Sequence, residues 1–221
     1  MTHDEQGGAM LLKNERQAVV NYCRKMITDG LTKGTGGNIS IFNREERLVA
    51  ISTSGQDYFE MTAEDVSVID MNGQLIQGKK ASTELAMHLM IYEHFPEANA
   101  VVHCHSVYAT ALSILRQDLP ASSYLLASAG GKDVRCSEYA SFGTREIGLA
   151  CVSALKDRYA CLLANHGLVS YGPSIDKAYS IAATVEECAQ TYMIAKSVDR
   201  PVLLDDEEME DMVEKFKGYG R

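Results

Sequence analysis

The chain has 221 residues, of which 46% are hydrophobic, and its formal net charge is −9 at pH 7. This length and apolar content are enough for one sizeable core, so we predict a single domain over residues 1–221. The acidic balance argues against nucleic acid or an anionic membrane as a partner, because both are polyanions. The chain also lacks an apolar run of membrane-spanning length and a secretion-signal pattern near residue 1. We therefore expect a cytoplasmic protein with its six scattered cysteines reduced.

The first part of the chain predicts a helix followed by strands. Apolar residues recur at helical spacing from Leu11 to Ile27, and Gly30 ends the pattern. The segment GTGGNISIF then passes from glycines into alternating β-forming residues, and LVAIST predicts a second strand. The segment VSVIDMNGQLIQG predicts a hairpin, because Asn72 and Gly73 suit a tight primed turn.

From Ser82 onward helical patterns alternate with short apolar strands. STELAMHLMIYEHF predicts a helix with a capping serine or threonine and with Glu84 in its first turn. We predict strands for NAVVHCH and YACLLAN, and helices for HSVYATALSILR, TREIGLACVSALKD and SIDKAYSIAATVEECAQTYMIAKSV. The acidic segment DDEEMEDMVEKFKGYGR predicts a last helix and a short tail, whose Tyr219 can reach a neighbour. This alternation indicates an α/β protein.

Two histidines one residue apart are the first candidate metal ligands. On a strand, residues i and i+2 point to the same side, so His103 and His105 would face one pocket while Cys104 faces the other way. A catalytic zinc ion usually takes three protein ligands, and His166, directly after the strand YACLLAN, is the best third candidate. Spacing alone still leaves histidines of the core or surface as the commoner alternative.

Glu84 and His88 are the next candidates. A carboxylate at a helix start is favoured by the helix dipole, and a plain helix-terminal charge is the commoner explanation. Because His88 lies four residues after Glu84 on the same helix face, the two could instead form a metal pair. We rank that pair below the His103–His105 site, since His88 also fits as a packed residue beside Leu89.

Three short polar turns could hold a phosphate group in this acidic protein. They are GGNIS (36–40), STSG (52–55) and ASTE (81–84), and each combines hydroxyls with backbone N–H groups exposed by a glycine or a helix start. Each is individually more often a plain turn. The chain has no P-loop, and GTGGNIS does not meet the dinucleotide fingerprint, so nucleotide binding is not expected.

These motifs occur in an order that resembles a known family. GTGGNIS, STSG, STE, ANAVVHCHSVYATALS, AGG, YASFGTRE, NHG and EKFKGYG together resemble the class II aldolase/adducin family, most closely its L-fuculose-1-phosphate aldolase branch. The resemblance implies a three-layer α/β sandwich with a central, largely antiparallel mixed sheet flanked by helices. It also implies a homotetramer with its active sites between subunits.

The resemblance assigns roles to particular residues. It implies that His103, His105 and His166 bind one Zn²⁺ per subunit, other divalent ions being possible, and that Glu84 approaches this metal and acts as acid and base. Its phosphate-holding positions correspond to Gly37, Asn38, Ser54, Gly55, Ser82 and Thr83. Tyr124 and Tyr219 correspond to a tyrosine pair that meets across a subunit boundary, and Phe142 to an aromatic wall.

The activity implied is reversible cleavage of a ketose 1-phosphate between C3 and C4. L-Fuculose 1-phosphate, the first substrate candidate, would give dihydroxyacetone phosphate and L-lactaldehyde. A divalent ion would neutralise the negative charge left on the dihydroxyacetone phosphate fragment. In the synthetic direction Glu84 would remove a proton beside the carbonyl, which suits a carboxyl group whose pKa is raised in a partly dry pocket, and Tyr124 would protonate the aldehyde oxygen.

Other members of the same scaffold remain alternatives. They are an aldolase for 5-deoxyribulose or 5-methylthioribulose 1-phosphate, an L-ribulose-5-phosphate 4-epimerase, and a dehydratase. The epimerases of the family carry aspartate where this chain has Glu84, which favours an aldolase. The non-enzyme alternative is an adducin-head-like assembly module that keeps the fold without the metal, and retention of the three histidines and Glu84 argues against it.

Overall fold

Helices and strands alternate along residues 9–218, the part of the chain that the computed structural model describes. The strands are β1 (Asn38–Asn43), β2 (Leu48–Ile51), β3 (Ser67–Asp70), β4 (Leu75–Gln77), β5 (Ala100–Cys104), β6 (Ala160–Leu163) and β7 (Gly167–Gly172). The α-helices are α1 (Lys13–Thr28), α2 (Leu85–His94), α3 (Val107–Ile114), α4 (Arg145–Ala154), α5 (Ile175–Val198) and α6 (Asp206–Gly218), with a 3₁₀ helix at Tyr124–Ala129. No helix within residues 9–218 has the length and apolar character needed to cross a membrane.

All seven strands join one sheet in the order β4-β3-β2-β1-β5-β7-β6, and neighbouring strands run antiparallel. In the middle of the sheet Asn38 of β1 is paired with His103 of β5, and Cys104 of β5 with Leu168 of β7. The start of β1, the end of β5 and the start of β7 therefore meet at one edge of the sheet. This edge carries the candidate site.

Helices cover both faces of the sheet, which gives three layers. Strand β5 is buried along its whole length, because Val102 and Cys104 pack into the core that contains α1, α3 and α5, while Val101 packs into the core with α2 and α4. A strand buried on both faces needs no alternation of polar and apolar residues. His103 shares the face of Val101 and Cys104 the opposite one, as the sequence predicts. The predicted α/β sandwich with a largely antiparallel sheet is confirmed.

The structure adds two elements to those predicted and shifts the start of helix α1. Strand β7 and the 3₁₀ helix Tyr124–Ala129 are absent from the sequence prediction. Strand β7 has a glycine at each end and follows β6 after only three residues, so its apolar pattern is too short to separate from the turn. Helix α1 begins at Lys13 rather than Leu11, because Leu12 adopts a left-handed conformation with φ 50°.

Candidate metal centre and active site

Four side chains meet at the sheet edge formed by β1, β5 and β7. They are Glu84, His103, His105 and His166, and one possible ligand atom from each lies within 4.8 Å of all the others. The Nε2 atoms of His103 and His105 are 3.0 Å apart. Oε2 of Glu84 lies 3.1 Å from Nε2 of His103, and Oε1 of Glu84 lies 3.5 Å from Nε2 of His166. The residues predicted as metal ligands thus form one compact cluster.

The end of β5 positions the first two histidines. Strand pairing stops at Cys104, so His105 lies one residue beyond the strand rather than on it. Its ring nevertheless stays on the side of His103, with ring centroids 4.8 Å apart. The predicted same-side arrangement therefore holds although the strand is one residue shorter than its sequence pattern indicates.

The sequence Asn165-His166-Gly167 brings the third histidine to the cluster. Asn165 has φ 55°, a left-handed conformation that asparagine tolerates better than most residues, and it turns the chain from β6 into β7. A Cβ atom on Gly167 would lie 2.5 Å from the Cys104 carbonyl oxygen, so only glycine lets β7 approach β5 this closely. The His166 ring then sits 4.8 Å from that of His103, measured between centroids.

Glu84 stands at the N-cap of α2 rather than in its first turn, and the predicted Ser or Thr cap is wrong. Ser82 Oγ accepts a hydrogen bond from the Glu84 backbone N–H, at 3.2 Å, because the chain is not yet helical there. Glu84 is 6% exposed, and its Oε2 accepts a hydrogen bond of 2.9 Å from the Asn38 amide. Its Oε1 is buried and has no hydrogen-bond partner. The carboxylate thus has one anchored oxygen and one available oxygen.

Hydrogen bonding and burial fix the state of the rings. Nδ1 of His103 donates to the Leu168 carbonyl oxygen at 2.9 Å, so Nε2 is the ring nitrogen that faces the cluster. Burial, together with the neighbouring rings, lowers the pKa of both His105 and His166 to about 4, so these two are neutral at pH 7. Neutral imidazole nitrogen is the form that binds metal.

The sequence-based expectation that the Glu84 pKa is raised is wrong. Burial does oppose ionisation of the carboxyl group, but the His103 and His166 rings and the Asn38 amide outweigh it and hold the pKa of Glu84 well below its usual range. Glu84 is therefore a carboxylate at neutral pH.

The donor set fits a divalent cation. Three imidazoles and a carboxylate are ligands that zinc and other first-row metals accept. The Oε1 atom of Glu84 also indicates a bound cation, because a buried oxygen without a hydrogen-bond partner destabilises the fold unless it binds a ligand. His88 is outside this cluster, so the Glu84–His88 metal pair considered above does not form: its ring is 0% exposed and lies between Ser40 and Asn38.

A cavity of about 260 Å³ opens beside the cluster. All six predicted phosphate-holding residues line it, namely Gly37, Asn38, Ser54, Gly55, Ser82 and Thr83. The other lining residues are Thr35, Gly36, Thr53, Glu84, His105, Phe142 and His166. Among these thirteen lining residues there is no lysine or arginine, so an anion would be held by hydroxyls and amide N–H groups. The sequence prediction missed Thr35 and Thr53, although both lie in the quoted segments GTGGNIS and STSG.

The predicted aromatic residues are only partly brought together. Phe142 lines the cavity and is 68% exposed. Tyr124 begins the 3₁₀ helix, is 53% exposed and does not line the cavity. Tyr219 lies outside the described residues. A tyrosine pair that meets across a subunit boundary therefore stays a prediction.

The fold and the site together define a class of protein. Residues 17–193 match the Class II Aldolase and Adducin N-terminal domain family, and the chain belongs to this family. Its seven-stranded sheet flanked by helices is the class II aldolase fold.

Two named relatives and one solved structure are similar to this chain along almost its whole length. It is 50% identical over 213 residues to the 5-deoxy-D-ribulose 1-phosphate aldolase of Bacillus thuringiensis serovar kurstaki, covering 96% of this chain and 100% of the relative. It is 41% identical over 203 residues to the L-fuculose phosphate aldolase of Escherichia coli K12, covering 91% and 94%. A solved structure of an L-fuculose 1-phosphate aldolase superposes with a TM-score of 0.91 at 45% identity, covering 95% of this chain and all of that one.

Proposed function

We propose that this class II aldolase reversibly cleaves a ketose 1-phosphate between C3 and C4, giving dihydroxyacetone phosphate and an aldehyde. The observation that carries the proposal is the compact cluster of Glu84 and three histidines beside a cavity lined by hydroxyls and amides. A metal-free assembly module of the adducin-head kind would have no use for this donor set. A 4-epimerase is less well supported, since both named relatives cited above are aldolases.

His103, His105 and His166 would hold the cation, with zinc as the first candidate. When bound, the ion supplies Lewis-acid stabilisation of the negative charge that develops on the substrate oxygens. Neutral imidazoles suit this role, since thiolate ligands would cancel part of the ion's charge. The polar turns around Gly37, Ser54 and Ser82 would orient the phosphate end of the substrate.

Glu84 would carry the proton. In the synthetic direction it takes a proton from the carbon next to the carbonyl of dihydroxyacetone phosphate, and in cleavage it returns that proton to the same carbon. Its Oε1 is the oxygen available for this step, because Oε2 is held by Asn38. Tyr124 of a neighbouring subunit would protonate the aldehyde oxygen, with Tyr219 and Phe142 completing that end of the pocket.

Replacing Glu84 by Gln tests this assignment. The amide keeps the size of the side chain and leaves all three histidines, so bound metal should stay near one ion per chain. Loss of the proton carrier should lower kcat on the order of 10²- to 10⁴-fold. Glu93→Gln is the matched control, because Glu93 is an exposed glutamate on the same helix. A Glu84→Gln variant with full activity would falsify the role given to this carboxylate.

Two substrates deserve the first assays. The 50% identity to a 5-deoxy-D-ribulose 1-phosphate aldolase favours that five-carbon sugar, whose cleavage leaves the two-carbon acetaldehyde. The second candidate is L-fuculose 1-phosphate, which leaves the three-carbon L-lactaldehyde and is favoured by the structural match. Parallel measurements of kcat/KM on both, with 5-methylthioribulose 1-phosphate and L-ribulose 5-phosphate added, separate the alternatives. Elemental analysis before and after chelation identifies the metal.

We further propose a homotetramer with active sites between subunits. Large apolar side chains that are exposed in the single chain support assembly: Val198 is 83% exposed and Val202 is 95% exposed. Light scattering during gel filtration should give a mass near four times 24.2 kDa. A monomeric but fully active protein would contradict this. The cytoplasmic location predicted from the sequence stays a prediction.

A further inference from the structure

A continuous line of buried polar side chains runs from Glu84 into the protein. Asn38 donates its amide N–H to Glu84 Oε2 at 2.9 Å, and Asn38 Oδ1 lies 2.6 Å from Nε2 of His88. On the far side of the ring, His88 Nδ1 lies 2.7 Å from Ser40 Oγ, which lies 2.6 Å from the Tyr92 hydroxyl. His88 and Ser40 are 0% exposed, and none of the five residues is more than 6% exposed.

Regular secondary structure accounts for this arrangement. Asn38 and Ser40 are two residues apart on β1, so both side chains point to the face that carries α2. Glu84 and His88 are four residues apart at the start of α2, so they lie one turn apart on the same face of the helix. The His88 ring therefore inserts between Asn38 and Ser40.

The chemistry of a carboxylate fixes the direction of every hydrogen bond in the line. Ionised Glu84 can only accept, so the Asn38 amide must turn its N–H group toward Glu84 and its Oδ1 toward His88. Nε2 of His88 must then carry the proton that it donates to Oδ1. Nδ1 of His88 is left as an acceptor for the Ser40 hydroxyl, and Ser40 Oγ in turn accepts from Tyr92.

The opposite orientation of the Asn38 amide would place its oxygen against the Glu84 carboxylate. Two acceptors would then face each other in a dry environment, which is unfavourable. His88 prevents this, because its Nε2–H offers a partner only for the amide oxygen. Burial keeps the ring uncharged, since it lowers the pKa of His88 to about 3.

We propose that His88 is a positioning residue of this active site. It holds Asn38 with its N–H toward Glu84, and so fixes the carboxylate in the orientation that places Oε2 beside His103 and Oε1 beside His166. His88 does not touch the reacting atoms. The kinetic part of the proposal depends on the aldolase function proposed above, whereas the orientation of Asn38 can be measured without it.

The first experiment measures which nitrogen of each histidine ring carries the proton. In protein with ¹⁵N-labelled histidine, NMR distinguishes a protonated from a bare ring nitrogen. We expect His88 to carry its proton on Nε2 and His103 to carry it on Nδ1, since His103 donates to the Leu168 carbonyl oxygen. The His88 signal is assigned by its loss in a His88→Gln variant. A His88 ring that is protonated on Nδ1, or charged at pH 7, would overturn the proposal.

The second experiment compares His88→Gln with His88→Leu. Glutamine keeps an N–H group near the position of Nε2, so it should retain kcat within about threefold, whereas leucine should lower kcat on the order of 10- to 100-fold, as expected for a lost hydrogen bond in a chain ending on a charged group. Metal content should be unchanged in both. His94→Gln is the matched control, because His94 is an exposed histidine on the same helix whose ring bonds only a backbone carbonyl. Full kcat in the leucine variant, or equal losses in both His88 variants, would refute a positioning role.

The side-chain amide of Asn38 supplies a third measurement, which needs no substrate. Its two N–H signals should stay sharp and separate in the His88→Gln variant and broaden or merge in the leucine variant, where nothing holds the amide oxygen. If wild-type protein cleaves no ketose phosphate, the proposed function fails. The ring tautomer and the Asn38 signals still decide whether His88 orients Asn38, and an Asn38 amide that stays ordered beside leucine rejects it.

Discussion

Gly37 offers the sharpest test of how the fold holds the site. It lies next to Asn38 in the turn before β1 and has φ +70°. A Cβ atom added there would lie 2.6 Å from the His103 carbonyl oxygen and 3.3 Å from Cα of Cys104. Both neighbours are backbone atoms of a buried strand, so neither can rotate away. Gly37→Ala should therefore displace the segment that carries His103.

The stability lost in Gly37→Ala has two parts, backbone strain and steric overlap, and Gly30→Ala measures the backbone strain alone. Gly30 also has a positive φ, +76°, but a Cβ atom there meets nothing within 4 Å. Gly30→Ala should therefore destabilise the protein by about 1 kcal/mol, the cost of placing a residue with a side chain in the left-handed backbone conformation. Gly37→Ala adds a steric cost of about 1–3 kcal/mol, as for other overpacked sites. Since ordinary contact begins near 3.4 Å, β5 must move by about 0.8 Å (3.4 minus 2.6).

Urea unfolding curves and steady-state kinetics check both parts. Gly37→Ala should be less stable than Gly30→Ala, and its kcat at saturating metal should fall on the order of 10²-fold, because a displacement near 1 Å is enough to misalign reacting groups. Gly30→Ala should keep wild-type kcat, since Gly30 does not line the cavity. Equal stability and equal kcat in the two variants would show that the close approach of Gly37 to His103 does not constrain the site.

Three further predictions concern pH, metal and packing. Burial lowers the pKa of His88 in the folded chain to about 3, so below pH 6.5 the unfolded chain protonates this ring and the folded chain does not. The free energy of unfolding should therefore fall by about 2 kcal/mol between pH 6.5 and 5 through this group. Urea titrations of His88→Gln should lack this loss. Removing one imidazole by His166→Ala should lower metal content and turnover together, and unchanged metal content by elemental analysis would exclude His166 as a ligand. Arg16 is 1% exposed and donates hydrogen bonds to two backbone carbonyls and to Gln77. Arg16→Leu should therefore lower the free energy of unfolding by about 3 kcal/mol with kcat unchanged. A urea unfolding midpoint equal to that of the wild type would contradict this.

The sequence predicts those parts of the site that depend on local periodicity. His103 and His105 face one side because a strand alternates with period two, and this holds whatever strands lie beside it. The positions of Gly37, Ser54 and Ser82 around one cavity followed from the family resemblance, since each turn taken separately is ordinary. The 3₁₀ helix that begins at Tyr124 is absent from the sequence prediction, because a single sequence does not show the path of the long segment between α3 and α4.

Properties that depend on distant partners were predicted less well. The pKa of Glu84 was expected to rise because burial was the only influence visible from its local sequence. The rings that lower it belong to residues 19 and 82 positions further on, His103 and His166, and only the sheet brings them together. The line from Glu84 to His88 was missed for the same reason, because Asn38 joins them from another strand.

The cluster draws its four side chains from three stretches of chain: the start of α2, the end of β5 and the turn before β7. In the denatured chain these stretches are far apart, so it has no comparable binding site for a cation. An ion held by the three histidines would therefore favour the native state, adding about 1.4 kcal/mol for each tenfold excess of free ion over its dissociation constant. Scarcity of the metal would then shorten the lifetime of the polypeptide against proteases as well as slow its chemistry.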